Sequence, residues 1–254
     1  MKTAPLPLEE LLGPGSADKR LEVLRAIAQT GSISQAARST GVSYKAGWQA
    51  VETLSNLAGV PLVEKLVGGA GGGGARLTAE GQQLLRAADL MRSAHKQVLA
   101  RLHRGKAAWS AGTVAAVGLR TSLRNQLPCK VQAITVSRGL VRVSLALADG
   151  QLLGSRITRE SLQLLGLRVG MPVLALCKAT AVTVAPHIVA MGQVNVLKGV
   201  VARLAAGKVS QEVSVQLAPG LRLVGFADAD AGLKSRQRAM AALEESAVVI
   251  GLAA

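Results

Sequence analysis

Two rhythms of apolar and polar residues divide the chain near residue 110. Before it, Leu21, Val23, Leu24 and Ile27, then Ala36 and Ala37, then Val51, Leu54 and Leu57, then Leu84, Leu85, Ala88 and Met91 recur at helical spacing. After it, short Val- and Leu-rich runs alternate with polar residues, as in Val141-Arg142-Val143-Ser144-Leu145, and Gly or Pro separates the runs. That is the period of half-buried strands. The segment His103–Gly118 reads as a linker.

Start and stop signals sharpen the front half. Arg20–Gln29 predicts a first helix ending at Thr30-Gly31. Ser32 caps a second, with Gln35 placed for a capping box, and Ala36 and Ala37 are small enough for helices to cross closely. Thr40-Gly41-Val42 makes a turn, and Ser43 caps a third helix running to about Leu57. Three helices with such turns are a helix-turn-helix, whose last helix lies in the major groove of duplex DNA. Ser43, Tyr44, Lys45, Trp48 and Gln49 on that helix suit phosphate, sugar and base edges; for Trp48, core packing is an equal reading. Two strand-like runs, Leu62–Val67 and Ala75-Arg76-Leu77, flank the glycine-rich loop Gly68–Gly74 and predict a β-hairpin wing, with Arg76 beside the DNA. Thr78 then caps a helix to about Leu102. Its stripe of Leu84, Leu85, Ala88, Met91, Val98 and Leu102 predicts a dimer seam, because readers of two-fold operators are dimers; packing onto the first helix is the alternative.

The back half repeats. At an offset of 70, Asn125 meets Asn195, Leu127 meets Leu197, Val131 meets Val201, Val143 meets Val213, Gly150 meets Gly220 and Leu153 meets Leu223; Val182 meets Val248 at an offset of 66. Two copies of one unit follow, each with several short strands, and the first copy adds a helical stretch at Arg159–Leu165. A small closed β-barrel suits the pattern, since closure removes exposed strand edges.

Composition narrows the function. Of 254 residues 49% are hydrophobic, ample for a core. Four aromatics, Tyr44, Trp48, Trp109 and Phe226, are too few to stack single-stranded bases. Cys129 and Cys177 fit buried thiols in a reducing compartment, and His95, His103 and His187 are too scattered for a metal site. No secretory signal or membrane span is readable, and Pro186, His187, Gly192, Gln193 and Asn195 break the charge-free run Ala179–Leu197 into strand, connection, strand, so a cytoplasmic protein is expected. The net charge of +15 attracts nucleic acid and small anions alike. No spacing of nucleophile, base and acid suggests an enzyme.

The chain resembles the ModE-type molybdate-responsive transcriptional regulators. In the front half the likeness rests on Gly31-Ser32-Ile33-Ser34-Gln35-Ala36-Ala37, Val42-Ser43-Tyr44-Lys45 and the Gly71–Ala75 wing leading to Leu77-Thr78. In the back half it rests on Thr121-Ser122-Leu123-Arg124-Asn125-Gln126-Leu127-Pro128, Ile157-Thr158-Arg159-Glu160-Ser161 and Lys178-Ala179. The resemblance implies an α+β multidomain dimer: a winged helix-turn-helix over residues 1–110, then OB-like molybdate-binding (Mop) barrels over 119–186 and 190–254. Its ligands would be molybdate, with tungstate as surrogate, and a double-stranded operator. A LysR-type regulator and a molybdate store remain alternatives; the first calls for a larger α/β effector domain, the second makes residues 1–110 superfluous.

A tetrahedral dianion only accepts hydrogen bonds, so its site needs donors and positive charge with no carboxylate beside them. Arg124 and Lys178 bring charge, Ser122, Thr158 and Ser161 bring hydroxyls, and backbone N–H groups near Leu123 and Ala179 add donors. By the resemblance, Ser122, Arg124 and Lys178 form one subunit's wall, while Thr158 and Ser161 reach in from the partner. The second repeat offers Gly192, Val194 and Glu244 at the corresponding places, so no second site of this kind is expected.

Overall fold

The computed structural model describes residues 18–66, 74–104, 121–137, 139–205, 207 and 210–252. They separate into two compact units. One takes Pro14–Trp109 with Arg159–Gly166; the other takes Ser110–Thr158 and Leu167–Ala254.

In the first unit, α1 (Lys19–Thr30) starts at Asp18, whose carboxylate accepts from the Arg20 N–H at 3.0 Å. It stops at Gly31, whose φ of 65° suits a residue without a Cβ. Helix α2 (Ile33–Ser39) begins where Ser32 Oγ accepts from the Gln35 N–H, and α3 (Tyr44–Ala58) where Ser43 Oγ accepts from the Ala46 N–H at 3.2 Å. Val23, Leu24, Ile27, Ile33, Ala36, Ala37, Val51 and Leu54 close one core under the three helices. Strands β1 (Val63–Leu66) and β2 (Gly74–Leu77) pair antiparallel, and the Ala75 N–H donates to the Gly31 carbonyl at 2.8 Å, pinning the hairpin to the end of α1. Thr78 Oγ1 caps α4 (Ala79–Arg104) by accepting from the Gly81 N–H at 3.1 Å.

The α4 stripe divides. Leu84 and Leu85 pack against the helical core, and Arg25 on α1 meets Asp89 at 2.6 Å. Farther along, Leu90 and Met91 are each 73% exposed. The expected seam residues Val98 and Leu102 lie on α4, but their side chains, the wing glycines Gly68–Gly73 and most of the linker His103–Gly118 lie outside what is described.

The second unit holds both repeats. The first contributes β3 (Asn125–Ser137), β4 (Leu140–Ala146), β5 (Leu152–Thr158), β6 (Pro172–Cys177), a 3-10 turn at Ala179–Ala181 and β7 (Thr183–Ala185). The second contributes β8 (Val194–Ala205), β9 (Ser210–Ala218), β10 (Leu221–Asp228), β11 (Arg238–Glu244), a 3-10 turn at Glu245–Ala247 and β12 (Val249–Gly251). Helix α5 (Arg159–Leu165), between β5 and β6 in the chain, is counted with the helical unit, whose core its Leu164 joins.

The repeats exchange their last strands. Strand order in the first sheet is β12-β6-β3-β4-β5, and the second is a closed barrel ordered β10-β7-β11-β8-β9. Strand β7 thus lies in the second barrel and β12 in the first sheet, so the expected cut into 119–186 and 190–254 separates strands from the sheets they complete. Each exchange covers a strand edge that its own repeat leaves unpaired. The alternation is strict where it matters: Leu127, Cys129 and Val131 on β3, and Val141, Val143 and Leu145 on β4, all point into the core.

Candidate oxyanion pocket and DNA-reading helix

Strand register brings together the two cations expected to hold an oxyanion. Asn125 pairs with Cys177, so Arg124 and Lys178, one residue beyond each, leave the β3–β6 ladder at the same end. Both are exposed, as is Ser122, whereas Ala179 is buried at the start of the 3-10 turn. The Leu123 N–H, expected as a pocket donor, is directed to Thr121 Oγ1 at 3.2 Å.

The other two expected ligands are elsewhere. Thr158 pairs with Leu140, and Leu140 pairs with Ser137, at the far end of β3 from Arg124. Ser161 follows on α5. The chain's own Thr158 is therefore separated from its own Arg124 by the length of the longest strand in the sheet.

What does face Arg124 is the second repeat. Its guanidinium donates to both carboxylate oxygens of Glu212 on β9, Nη1 to Oε2 at 2.8 Å and Nη2 to Oε1 at 3.3 Å. The expectation of a pocket clear of carboxylates is thereby corrected: folding of the second repeat against the first supplies one that lies 88 positions away in the chain.

Four further residues hold this seam. Asn125, 1% exposed, donates to the Val224 carbonyl at 2.8 Å and accepts from the Val224 N–H at 2.7 Å. Asn195 does the same to Gly154, at 2.9 Å and 2.6 Å. Each asparagine thus clasps the other repeat by pairing with a backbone as another strand would. Arg142 pairs with Glu245 at 2.6 Å, and this pairing holds the guanidinium protonated beyond its ordinary range. Glu245 is 4% exposed; its Oε2 is buried without a hydrogen-bond partner among the described residues, and a Cβ at Gly154 would run into its Oε1. The match of Asn125 to Asn195 at one offset was the available signal for the clasps. Nothing in the sequence joins Arg142 to Glu245.

Both cysteines are buried thiols. Burial pushes the Cys129 thiol up to about 12 and raises that of Cys177 as well, so both stay protonated at neutral pH.

On α3, the helix expected to read DNA, Ser43, Tyr44 and Lys45 are exposed at the first turn, Tyr44 at 57%. Tyr44 and Trp48 meet edge to face, 6.4 Å between centroids, and Trp48 packs against the helical core. Gln49 is half-buried. Arg76, exposed on β2, donates to Glu64 across the hairpin at 3.0 Å. Within the same unit the Ser43 N–H donates to Gln163 of α5 at 3.0 Å, and Lys45 lies 3.1 Å from Glu160.

Two family models match the chain: the bacterial regulatory helix-turn-helix of the lysR family over residues 19–82, and the TOBE domain over residues 121–184. The molybdenum-pterin-binding protein MopA of Rhodobacter capsulatus is 39% identical over 84% of this chain and 82% of its own length. The DNA-binding transcriptional dual regulator ModE of Escherichia coli (strain K12) is 36% identical over 81% and 80%. The chain belongs to the ModE family. Its barrel half also resembles a solved structure of the cytoplasmic molybdate-binding protein ModG with molybdate bound, at a TM-score of 0.50 and 28% identity over 53% of this chain and 99% of that one. No described helix is long and apolar enough to cross a membrane.

Proposed function

We infer that this ModE-family chain is a molybdate-sensing transcriptional regulator, not an enzyme, and works in the cytoplasm. Its winged helix reads a double-stranded operator through Ser43, Tyr44, Lys45, Trp48, Gln49 and Arg76. Molybdate, or tungstate of the same charge, is held by Ser122, Arg124 and Lys178 and by the backbone near Leu123 and Ala179. A homodimer completes the pocket, the partner subunit supplying its copies of Thr158 and Ser161.

The observation that carries this reading is the register of β3. It gathers Arg124 and Lys178 at one end of the sheet and sends Thr158 to the other, which supports a pocket completed by a second chain. The positive pair attracts the dianion, and the hydroxyls and N–H groups replace the water it gives up.

Calorimetric titration of the full chain with molybdate, tungstate and sulfate tests it. Arg124→Ala and Lys178→Ala should each weaken molybdate binding by about 1.5–3 kcal/mol, the scale of a hydrogen bond to a charged group. The smaller sulfate should bind much more weakly. Equal binding of sulfate and molybdate would mean a generic anion site and end the sensor reading.

A further inference from the structure

The contacts between the two repeats come in matched pairs, and one of them takes hold of a residue of the oxyanion pocket. Arg142 on β4 and Glu212 on β9 are equivalent positions at the offset that relates the repeats. Each reaches across to the other repeat: Arg142 to Glu245, Glu212 to Arg124. The same place in both copies therefore carries half of an ion pair, with the charges reversed.

The two pairs differ in what can replace them. Glu245 is 4% exposed and seated against Gly154, so water cannot take it back without opening the seam. The Arg124–Glu212 pair is open, with side chains 55% and 32% exposed, and its guanidinium is the one the pocket uses for its ligand.

We propose that Glu212 is the resident counter-ion of the oxyanion pocket, a carboxylate from the second repeat that the incoming dianion displaces from Arg124. The proposal rests on the pocket reading above. Glu212 occupies two N–H donors of one planar fork, and a tetrahedral oxyanion seeks that fork for its own paired oxygens. Two anions on one guanidinium repel each other. The singly charged carboxylate, about a third exposed, is the one that returns to water at low cost. Ligand affinity is then set partly by the repeat that binds no ligand. Occupancy also breaks one contact in the seam, while the asparagine clasps, the exchanged strands and the Arg142–Glu245 pair stay in place. The second repeat thereby senses whether the pocket is filled.

The test is molybdate calorimetry on the full chain with Glu212→Gln, Glu212→Asp, Arg124→Ala and the Glu212→Gln/Arg124→Ala double variant, with thermal melts to confirm folding. Glu212→Gln keeps the shape and removes the charge; it should bind molybdate about two- to tenfold more tightly, given the small worth of an exposed pair plus the lost repulsion. Glu212→Asp, one methylene too short to reach, should also bind more tightly than wild type. On the Arg124→Ala background the gain from Glu212→Gln should shrink, the signature of two residues acting on each other. If Arg124→Ala binds weakly yet Glu212→Gln binds no more tightly than wild type, the counter-ion role is wrong and the pocket stands. The same role is wrong if Glu212→Asp matches wild type, or if the gain persists in full without Arg124. Unchanged molybdate binding by Arg124→Ala overturns the pocket reading itself, and this proposal with it.

Discussion

Arg142 and Glu245 show how unevenly one ion pair divides its burdens. The arginine side chain is 56% exposed and keeps much of its hydration, whereas the buried glutamate side chain, 6% exposed, depends on its partner. Truncating the arginine strands a buried charge; converting the glutamate leaves an arginine that turns to water. Arg142→Ala should therefore destabilise the barrel unit by about 1–3 kcal/mol and Glu245→Gln by less, read from chemical denaturation of the full chain. Equal losses would mean that the Glu245 carboxylate does not depend on Arg142.

At the scale of elements, the exchanged strands make each repeat's stability a property of the other. Strand β12 is three residues long, yet it covers the β6 edge of the first sheet through the register Val249 to Leu176 and Gly251 to Leu174. Ile250, 6% exposed, adds a buried side chain worth about 1.5–3 kcal/mol. A chain ending at Val248 should lose cooperativity in the first repeat, and its molybdate affinity should fall with it, although no pocket residue has been removed. Hydrogen exchange at Leu174 and Leu176 would report the freed edge, and unchanged protection there would refute the dependence.

For the whole molecule, the asymmetry of the repeats dictates stoichiometry. The first repeat keeps Ser122, Arg124 and Lys178; the second has Gly192, Val194 and Glu244 at those places. Structure closes the second further. The Glu245 N–H, counterpart of the Ala179 N–H, already donates to the Gln193 carbonyl at 3.0 Å, and Glu244 accepts from Ser246 Oγ. One molybdate per chain, two per dimer, is the expected count by calorimetry. Two per chain, or one that survives undiminished in Arg124→Ala, would show that the second repeat binds after all.

Local chemistry was written plainly in the chain. Ser32, Ser43 and Thr78 accept from backbone N–H groups three residues on, and such caps are read from neighbours only. The helix Arg159–Leu165, the strand texture and the repeat were equally legible, because period and self-similarity need no knowledge of the fold. The cations Arg124 and Lys178 could be named from their motif. Which groups surround them could not, since Glu212 arrives from another strand of another repeat and the sequence carries no mark of that meeting. The strand exchange was hidden for the same reason: β7 and β12 look like the last strand of their own repeat, and only the free edges of the assembled sheets choose where they pair. Sequence by itself determined what each segment becomes and which side chains carry charge. Tertiary structure alone decided which charges meet, because burial and pairing depend on distances between residues far apart in the chain.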